Sequence, residues 1–181
     1  HLNAALDVLN PLIPRDCQDI TLLFVGWETM CRRSELVKFT WGDFELQNDG
    51  SGLLYLEASK TDQDRKGEYL YLSPYTTNIL LGWRTRSKPK SSTVAIFRGI
   101  FSNGKIGSEL STKGVERCYQ RIAERLGLPK EIFSGHSTRV GSAQEMIERD
   151  IDSAKIMLSG RWKSMSMVTR YAKKINAKKG G

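Results

Sequence analysis

Apolar residues follow helical and strand-like spacings along most of the chain. Between Asp16 and Cys31 they occupy nearly every face of a helix, which is typical of a helix buried in a core. Asp16 is placed to cap this helix, because a carboxylate accepts hydrogen bonds from the first free amide groups. Ser34 is placed to begin a second helix over residues 34–39. These patterns predict a central helix followed at once by a short one.

Three strand-like segments come next, at residues 43–47, 53–60 and 68–73. A Gly-rich turn at residues 48–52 separates the first two, so they are predicted to form a hairpin to which the third strand adds. Lys60 stands where the second strand enters a polar tip. A single lysine in such a place is ordinarily a solvated strand end, so only its surroundings can give it a further role.

The remaining segments are mainly helical in pattern. Ser73 followed by proline predicts the beginning of a helix. Residues 90–110 are rich in Gly and Ser and are predicted to be a loop. An amphipathic helix is predicted to begin at Ser111 or Thr112 and to end at Gly127. Taken together, the patterns predict a predominantly helical α+β fold with a small three-stranded antiparallel sheet at one edge.

Length and charge restrict the class of protein. With 181 residues, 39% hydrophobic and 27% charged, the chain is expected to form a single domain, residues 1–181. A net charge of +8 and a pI of about 9.5 favour a polyanionic partner, although a basic solvated surface would look the same. No apolar run is long enough to span a membrane, and no signal peptide is visible.

Six residues from three separate parts of the chain have the chemistry needed to cleave a phosphodiester. They are Arg32, Lys60, His136, Arg139, Trp162 and Tyr171. Two guanidinium groups can bind the non-bridging oxygens of one phosphate and stabilise its transition state. Lysine can donate a proton to the departing alkoxide, and histidine can accept one or bind the phosphate. A tyrosine hydroxyl becomes a nucleophile only with a base or positive charge nearby, and this set contains both.

Arg32 and Arg33 follow the predicted core helix directly. Because a guanidinium without a partner is costly to bury, one of them is expected to meet a carboxylate or an anion, and Glu35 is close enough in sequence to orient it. No cluster of Asp and Glu suited to paired Mg²⁺ and no Walker-type loop is visible. We therefore expect chemistry without a metal, a nucleotide or another cofactor. The scattered cysteines are expected to be core filler.

In order and type, these residues resemble the catalytic domain of the tyrosine site-specific recombinases, the phage integrase family. The segment GHSTRVGSAQEM at residues 135–146 most closely resembles the motif of the Cre-like branch. MCRRSEL at 30–36 resembles the first-arginine motif, which favours Arg32 over Arg33 and gives Glu35 the acidic supporting position. SKTDQDRKG resembles the mobile hairpin that carries the catalytic lysine, Lys60. LSGRW ends on Trp162, where most members have Gly-His, and Tyr171 falls at the nucleophile position.

The resemblance implies the DNA breaking-rejoining fold and site-specific recombination or integration of DNA. Tyr171 would form a 3′-phosphotyrosyl bond and Lys60 would protonate the 5′ oxygen. Arg33, Lys163 and Lys173 are expected to contact double-stranded DNA. The resemblance implies a homotetramer on DNA. The family's N-terminal DNA-binding domain is expected to be absent from residues 1–181, which are expected to be a monomer when free. A bacterial, phage or plasmid enzyme of this kind would act in the cytoplasm.

Three other functions fit parts of the pattern. A type IB topoisomerase or a telomere resolvase would use the same phosphotyrosine chemistry, and a DNA-binding module without catalysis would use the same basic surface. The GHSTRVG run favours the recombinase over the first two. The presence of all six residues favours an enzyme over the third.

Overall fold

The computed structural model describes residues 2–57, 67–134 and 137–179, and most of them are helical. The elements, in chain order, are α1 (Leu2–Val8), α2 (Pro14–Thr29), α3 (Arg33–Leu36), β1 (Phe44–Leu46), β2 (Gly52–Leu56), β3 (Glu68–Leu72), α4 (Pro74–Ser87), β4 (Arg98–Ile100), β5 (Ile106–Glu109), α5 (Thr112–Arg125), α6 (Ser137–Glu148), α7 (Ser153–Ser159) and α8 (Ser166–Lys179). Single 3₁₀ turns lie at Trp41–Asp43 and Lys130–Ile132. The predicted helical α+β class is confirmed.

Helix α2 is the central element, as its all-round apolar pattern predicts, and most of its side chains are buried. The predicted cap is wrong, however, because the helix begins two residues before Asp16, at Pro14. Proline suits the first turn because it lacks an amide hydrogen that would otherwise need an acceptor. The Asp16 carboxylate instead accepts a hydrogen bond from the backbone amide of Asn10 at 3.0 Å. It thereby ties the α1–α2 connection to the first turn of α2.

The predicted three-stranded sheet is present, in the order β1-β2-β3 with antiparallel pairing throughout. Gly50 lies in the β1–β2 turn with φ +84°, a conformation that side chains disfavour. In the second pair, Leu54 faces Leu70 and Leu56 faces Glu68. The chain therefore leaves and re-enters the sheet at the same end. Residues 58–66, which include Lys60, lie outside the described residues.

The prediction of a loop at residues 90–110 is wrong, because β4 and β5 form a two-stranded antiparallel sheet there. These strands are too short and too rich in Gly to show a pattern. The free backbone groups of β4 are hydrogen-bonded by a distant side chain. Gln18 Oε1 of α2 accepts from the backbone N–H of Arg98 at 2.7 Å, and Gln18 Nε2 donates to the Arg98 carbonyl oxygen at 2.8 Å. A side chain 80 residues away in sequence thus stands in for a neighbouring strand.

Buried apolar side chains form two clusters. The larger one joins α2, α4, α5 and the three-stranded sheet, and the three cysteines are buried and free, consistent with core filler. Ser111 is the cap of α5, since its hydroxyl accepts from the Gly114 amide at 3.0 Å. The smaller cluster holds α6, α7 and α8 against the end of α2 through Met30, Ala143, Ile156 and Val168. None of the helices among the described residues is long and apolar enough to cross a membrane.

Gly26 lets two other helices approach α2 closely. A β-carbon at this position would lie 2.7 Å from the Tyr119 hydroxyl of α5 and 3.2 Å from the Thr138 hydroxyl of α6. Tyr119 is fully buried and Thr138 is 1% exposed, so neither side chain is free to turn away. The position of α6 relative to α2 therefore depends on the missing side chain of residue 26.

We predict that Gly26→Ala destabilises the protein although alanine is the better helix former. Overpacking against Tyr119 should cost about 1–3 kcal/mol, which exceeds the gain of about 1 kcal/mol in helix propensity. Gly82 of α4 is the matched control, because a β-carbon there would have no neighbour beyond its own helix within 4 Å among the described residues. In urea denaturation, Gly82→Ala should raise the free energy of unfolding and Gly26→Ala should lower it. Two changes of the same sign would contradict the packing argument.

Candidate active site

Arg139 is fixed at the centre of the candidate site by two backbone carbonyl groups. It lies in the first turn of α6 and is only 5% exposed. Its Nη1 donates to the carbonyl oxygen of Met30 at 2.8 Å, and its Nη2 donates to the carbonyl oxygen of Gly160. Met30 follows α2 and Gly160 follows α7. The guanidinium thus joins α6 to the end of α7 and to the end of α2, which is over a hundred residues away in sequence.

Arg32 reaches the same place from the turn between α2 and α3. The Arg32 amide donates to Glu35 Oε2 at 2.7 Å, and its Nη1 donates to Glu35 Oε1 at 2.8 Å. Arg32 is the residue just before α3, and a glutamate three residues after such a capping position commonly accepts its amide in this way. Arg33 is paired with Glu116 at 3.2 Å. Both arginines therefore meet a carboxylate, as predicted, and Glu35 is the partner of Arg32.

Trp162 and Tyr171 continue the site from Arg139. The Arg139 Cζ lies 4.9 Å from the centroid of the Trp162 ring, which is the geometry of a cation–π contact. The Trp162 and Tyr171 rings are 5.5 Å apart, at 43° to each other. Gly160 makes this possible, because a β-carbon there would lie 2.6 Å from the Trp162 ring. Trp162 consequently packs between the buried guanidinium and the tyrosine.

The site carries more positive than negative charge. Burial, and then the positive charges of Arg32 and Arg161, lower the pKa of Arg139 to about 10. Burial alone would raise the pKa of Glu35, but the Arg32 amide and the charges of Arg161 and Arg32 outweigh it and lower that pKa. Among the described residues, the donors of Arg139 meet backbone carbonyls rather than a carboxylate. Such an arrangement favours the binding of an anion.

Arg161 is a member of the site that the sequence analysis missed. Its Nη2 lies 2.8 Å from Glu35 Oε2, and its Nη1 lies 3.0 Å from the carbonyl oxygen of Thr29. The residue has φ +51°, which costs a non-glycine residue about 1–2 kcal/mol. The only signal in the sequence is an arginine directly after Gly160, at the end of an apolar helix, in a segment whose chemistry pointed to Trp162 alone.

Two predicted site residues cannot be placed. Lys60 and His136 lie outside the described residues, although the elements beside them are clear. Lys60 belongs to the segment between β2 and β3, and α6 begins at Ser137, directly after the histidine. The structure thus brings together Arg32, Arg139, Trp162 and Tyr171. The roles of Lys60 and His136 stay predictions.

The predicted DNA contacts differ in their surroundings. The Arg33 side chain is 40% exposed and shares Glu116 with Lys113. Lys163 and Lys173 are exposed; Lys163 precedes α8, and Lys173 lies on α8 two residues after Tyr171. All three are accessible to a large polyanion. Within residues 2–57, 67–134 and 137–179, no three His, Cys, Asp or Glu side chains come together as metal ligands.

Sequence comparison finds a family model and relatives that all belong to the same class of recombinases. A family model described as the phage integrase family matches residues 1–178. The chain is 32% identical over 165 residues to an integrase/recombinase xerD homolog of Selenomonas ruminantium, covering 88% of this chain and 48% of that protein. It is 26% identical over 179 residues to the recombinase cre of Escherichia phage P1, covering 91% of this chain and 52% of that protein. The chain spans about half the length of these curated relatives.

Solved structures support the same fold. One is the XerH site-specific recombinase bound to palindromic difH substrate in a post-cleavage complex, with a TM-score of 0.71 and 19% identity over 94% of this chain and 45% of that chain. Another is a lambda integrase dimer bound to a COC′ core site, with a TM-score of 0.59 and 19% identity over 94% of this chain and 44% of that chain. At these identities the similarity establishes the fold.

We predict that Glu35→Gln destabilises the protein in a pH-dependent way. Loss of the charged hydrogen bonds to Arg32 and Arg161 should cost about 2 kcal/mol at pH 7. Because the pKa of Glu35 is lowered in the folded state, its ionised form stabilises the fold. That contribution is complete above the unfolded pKa of about 4.3 and disappears as the pH falls through the folded value.

Urea denaturation of both proteins across this range measures the difference directly. The difference in the free energy of unfolding between parent and variant should be constant from pH 7 to about 5 and should shrink below about pH 4. Glu45→Gln is a suitable control, because Glu45 is exposed and its carboxylate accepts a hydrogen bond from the nearby Gln47 side chain instead of an arginine. A gap that widens on acidification would contradict the assignment of Glu35 as the ionised partner.

Proposed function

The chain belongs to the phage integrase family, and from that premise we propose that it cleaves and rejoins DNA at specific sites through a covalent bond between Tyr171 and a DNA phosphate. The observation that carries the proposal is the convergence of Arg32 and Arg139, over a hundred residues apart in sequence, beside Trp162 and Tyr171. Such a cluster of buried positive charge next to a hydroxyl is suited to a phosphodiester.

In the first step, the Tyr171 oxygen attacks the scissile phosphorus. A bond from phosphorus to the tyrosine oxygen forms, and the bond from phosphorus to the 5′ oxygen breaks. Arg32 and Arg139 stabilise the extra negative charge on the non-bridging oxygens in the transition state. The proton of the tyrosine passes to a base, the predicted role of His136, and Lys60 is predicted to protonate the leaving 5′ oxygen.

In the second step, the 5′ hydroxyl of a partner strand attacks the phosphotyrosyl bond. The phosphorus–tyrosine bond breaks and a new phosphodiester forms. By reversal of the first step, the attacking hydroxyl gives its proton to Lys60 and the leaving Tyr171 oxygen takes one from His136, so the bond energy is kept and no nucleotide is consumed. Neither step requires a metal ion, because guanidinium groups bear the phosphate charge. Exchange between two duplexes would need four such domains on two DNA sites, which extends the proposal to a tetramer on double-stranded DNA.

The proposal covers the surroundings of the reaction as well. Arg33, Lys163 and Lys173 would contact the DNA backbone on both sides of the scissile phosphate. The catalytic chemistry would belong to residues 1–181 as one domain, and its place of action would be the cytoplasm of a bacterial host. Which DNA sequence is recognised depends on the side chains that contact base edges in the complex.

We predict that a nicked duplex carrying the cognate recombination site traps a covalent protein–DNA adduct that survives SDS. Tyr171→Phe should abolish the adduct, because a phenyl ring has no oxygen to bond to phosphorus. Tyr75→Phe is the control, since Tyr75 is a 56% exposed tyrosine of α4. Adduct in the Tyr171→Phe protein would refute the nucleophile. Salt-sensitive binding with no adduct in the parent would favour a non-catalytic DNA-binding module.

We also predict that Arg139→Lys slows adduct formation by about 10²- to 10³-fold. Lysine keeps the charge but cannot donate to Met30, to Gly160 and to a phosphate at once, as a planar guanidinium can. Arg149→Lys is the matched control on the same segment, because Arg149 is 72% exposed and pairs with Glu145, four residues earlier. Single-turnover rates with excess enzyme separate this effect from DNA binding. A lysine variant as fast as the parent would contradict the phosphate-clamp role.

A further inference from the structure

Arg161 occupies a backbone position that favours glycine. Helix α7 ends with the two hydrogen bonds of a Schellman motif, from the Arg161 amide to Leu158 at 2.9 Å and from the Trp162 amide to Met157 at 3.0 Å. The left-handed residue of this motif is Arg161, with φ +51°. Glycine would end the helix at lower cost. An arginine at this place therefore calls for an explanation in its side chain.

The side chain is inserted into the protein, and its two terminal nitrogen atoms donate hydrogen bonds. It is 15% exposed, which is low for arginine. Nη1 donates to the carbonyl of Thr29 at 3.0 Å, and Nη2 donates to Glu35 Oε2 at 2.8 Å. Nε lies 3.2 Å from Glu68 Oε1 as an ion pair without hydrogen-bond geometry. With its nitrogen atoms directed at protein oxygens, Arg161 is a support rather than a phosphate ligand.

The groups it supports belong to the proposed reaction. The Glu35 carboxylate bridges two guanidiniums, with Oε1 bound to Arg32 and Oε2 bound to Arg161. The Arg32 side chain is 33% exposed, so it is accessible to a phosphate, whereas Glu35 is nearly buried. Without Arg161, one oxygen of Glu35 would keep only the Arg32 amide, and the carboxylate could rotate. The orientation of Arg32 would then be less defined.

A second contact points to the same role. Glu68 is the first residue of β3 and faces Leu56, the last residue of β2. The segment that carries Lys60 leaves and returns at this pair. Arg161 thus joins the turn before Tyr171 to the residue that supports Arg32 and to the base of this hairpin.

We propose that Arg161 is a positioning residue of the cleavage reaction: it holds the Glu35 carboxylate and, through it, keeps the Arg32 guanidinium oriented toward the scissile phosphate. This inference rests on the proposed function and adds to it a residue outside the expected set. A third guanidinium next to Arg32 and Arg139 adds positive charge to the site, so its burial here requires compensating partners. Its bonds to Glu35 and Thr29 account for it.

The test uses two variants that remove the guanidinium with opposite effects on the backbone. Arg161→Gln retains a side chain at φ +51°, whereas Arg161→Gly relieves that conformation and should be the more stable of the two. At a temperature where both variants are fully folded by circular dichroism, both should slow single-turnover adduct formation by about 10- to 100-fold, with DNA affinity close to the parent's. Arg161→Lys should recover part of the rate. Arg149→Gln, at a 72% exposed arginine, is the control.

A double variant tests whether the effect passes through Glu35. If Arg161 and Glu35 act as one unit, Arg161→Gln combined with Glu35→Gln should be no more than about twofold slower than the slower single variant. Multiplied losses would overturn the proposal, as would an Arg161→Gly protein as fast as the parent. In either case the parent and its Tyr171→Phe control still behave as the proposed function requires. A parent that forms no adduct would overturn that function and this inference with it.

Discussion

The carbonyl group of Met30 is the point on which the site depends. It accepts hydrogen bonds from Arg139 at 2.8 Å and from Arg161 at 3.4 Å, so two segments from the last quarter of the chain meet at the end of α2. Met30 has φ +50°, and this left-handed turn is where the chain leaves α2 for Arg32. The last carbonyl groups of a helix have no partner within it and carry partial negative charge. They are therefore natural acceptors for guanidinium groups.

Charge balance then determines what the site can bind. Three guanidiniums, those of Arg32, Arg139 and Arg161, surround the single nearly buried carboxylate of Glu35. Glu68 adds a second, half-exposed carboxylate at the edge of the group. Carbonyl dipoles hold Arg139 in place without cancelling its charge. A phosphate would supply the missing negative charge beside Arg32, whose side chain is 33% exposed although it is paired with Glu35.

Short-range patterns were sufficient to predict much of this molecule. Helix α2, the three-stranded sheet and α5 have apolar periodicities that extend over one element. Residue type and order predict a common site for Arg32, Glu35, Arg139, Trp162 and Tyr171, and these side chains do lie together. The β4–β5 pair was missed because its edge is completed by Gln18, and no local pattern contains that contact. Asp16 was predicted to cap α2, but its carboxylate accepts a hydrogen bond from the Asn10 amide before the helix.

Arg161 illustrates why the remainder was not predictable. Local rules favour glycine at its position, and nothing nearby in sequence indicates that its side chain reaches Glu35, 126 residues away. Among the described residues, Met30, Lys88, Asp150 and Arg161 have positive φ without being glycine, and Met30 and Arg161 lie against each other at the site. Each such residue costs about 1–2 kcal/mol. Charge-assisted hydrogen bonds of about 1.5–3 kcal/mol each offset that cost only when all their partners are in place. The left-handed conformations of Met30 and Arg161 are therefore set by the hydrogen bonds of the cluster, against local conformational preference, where α2, α6 and α7 meet.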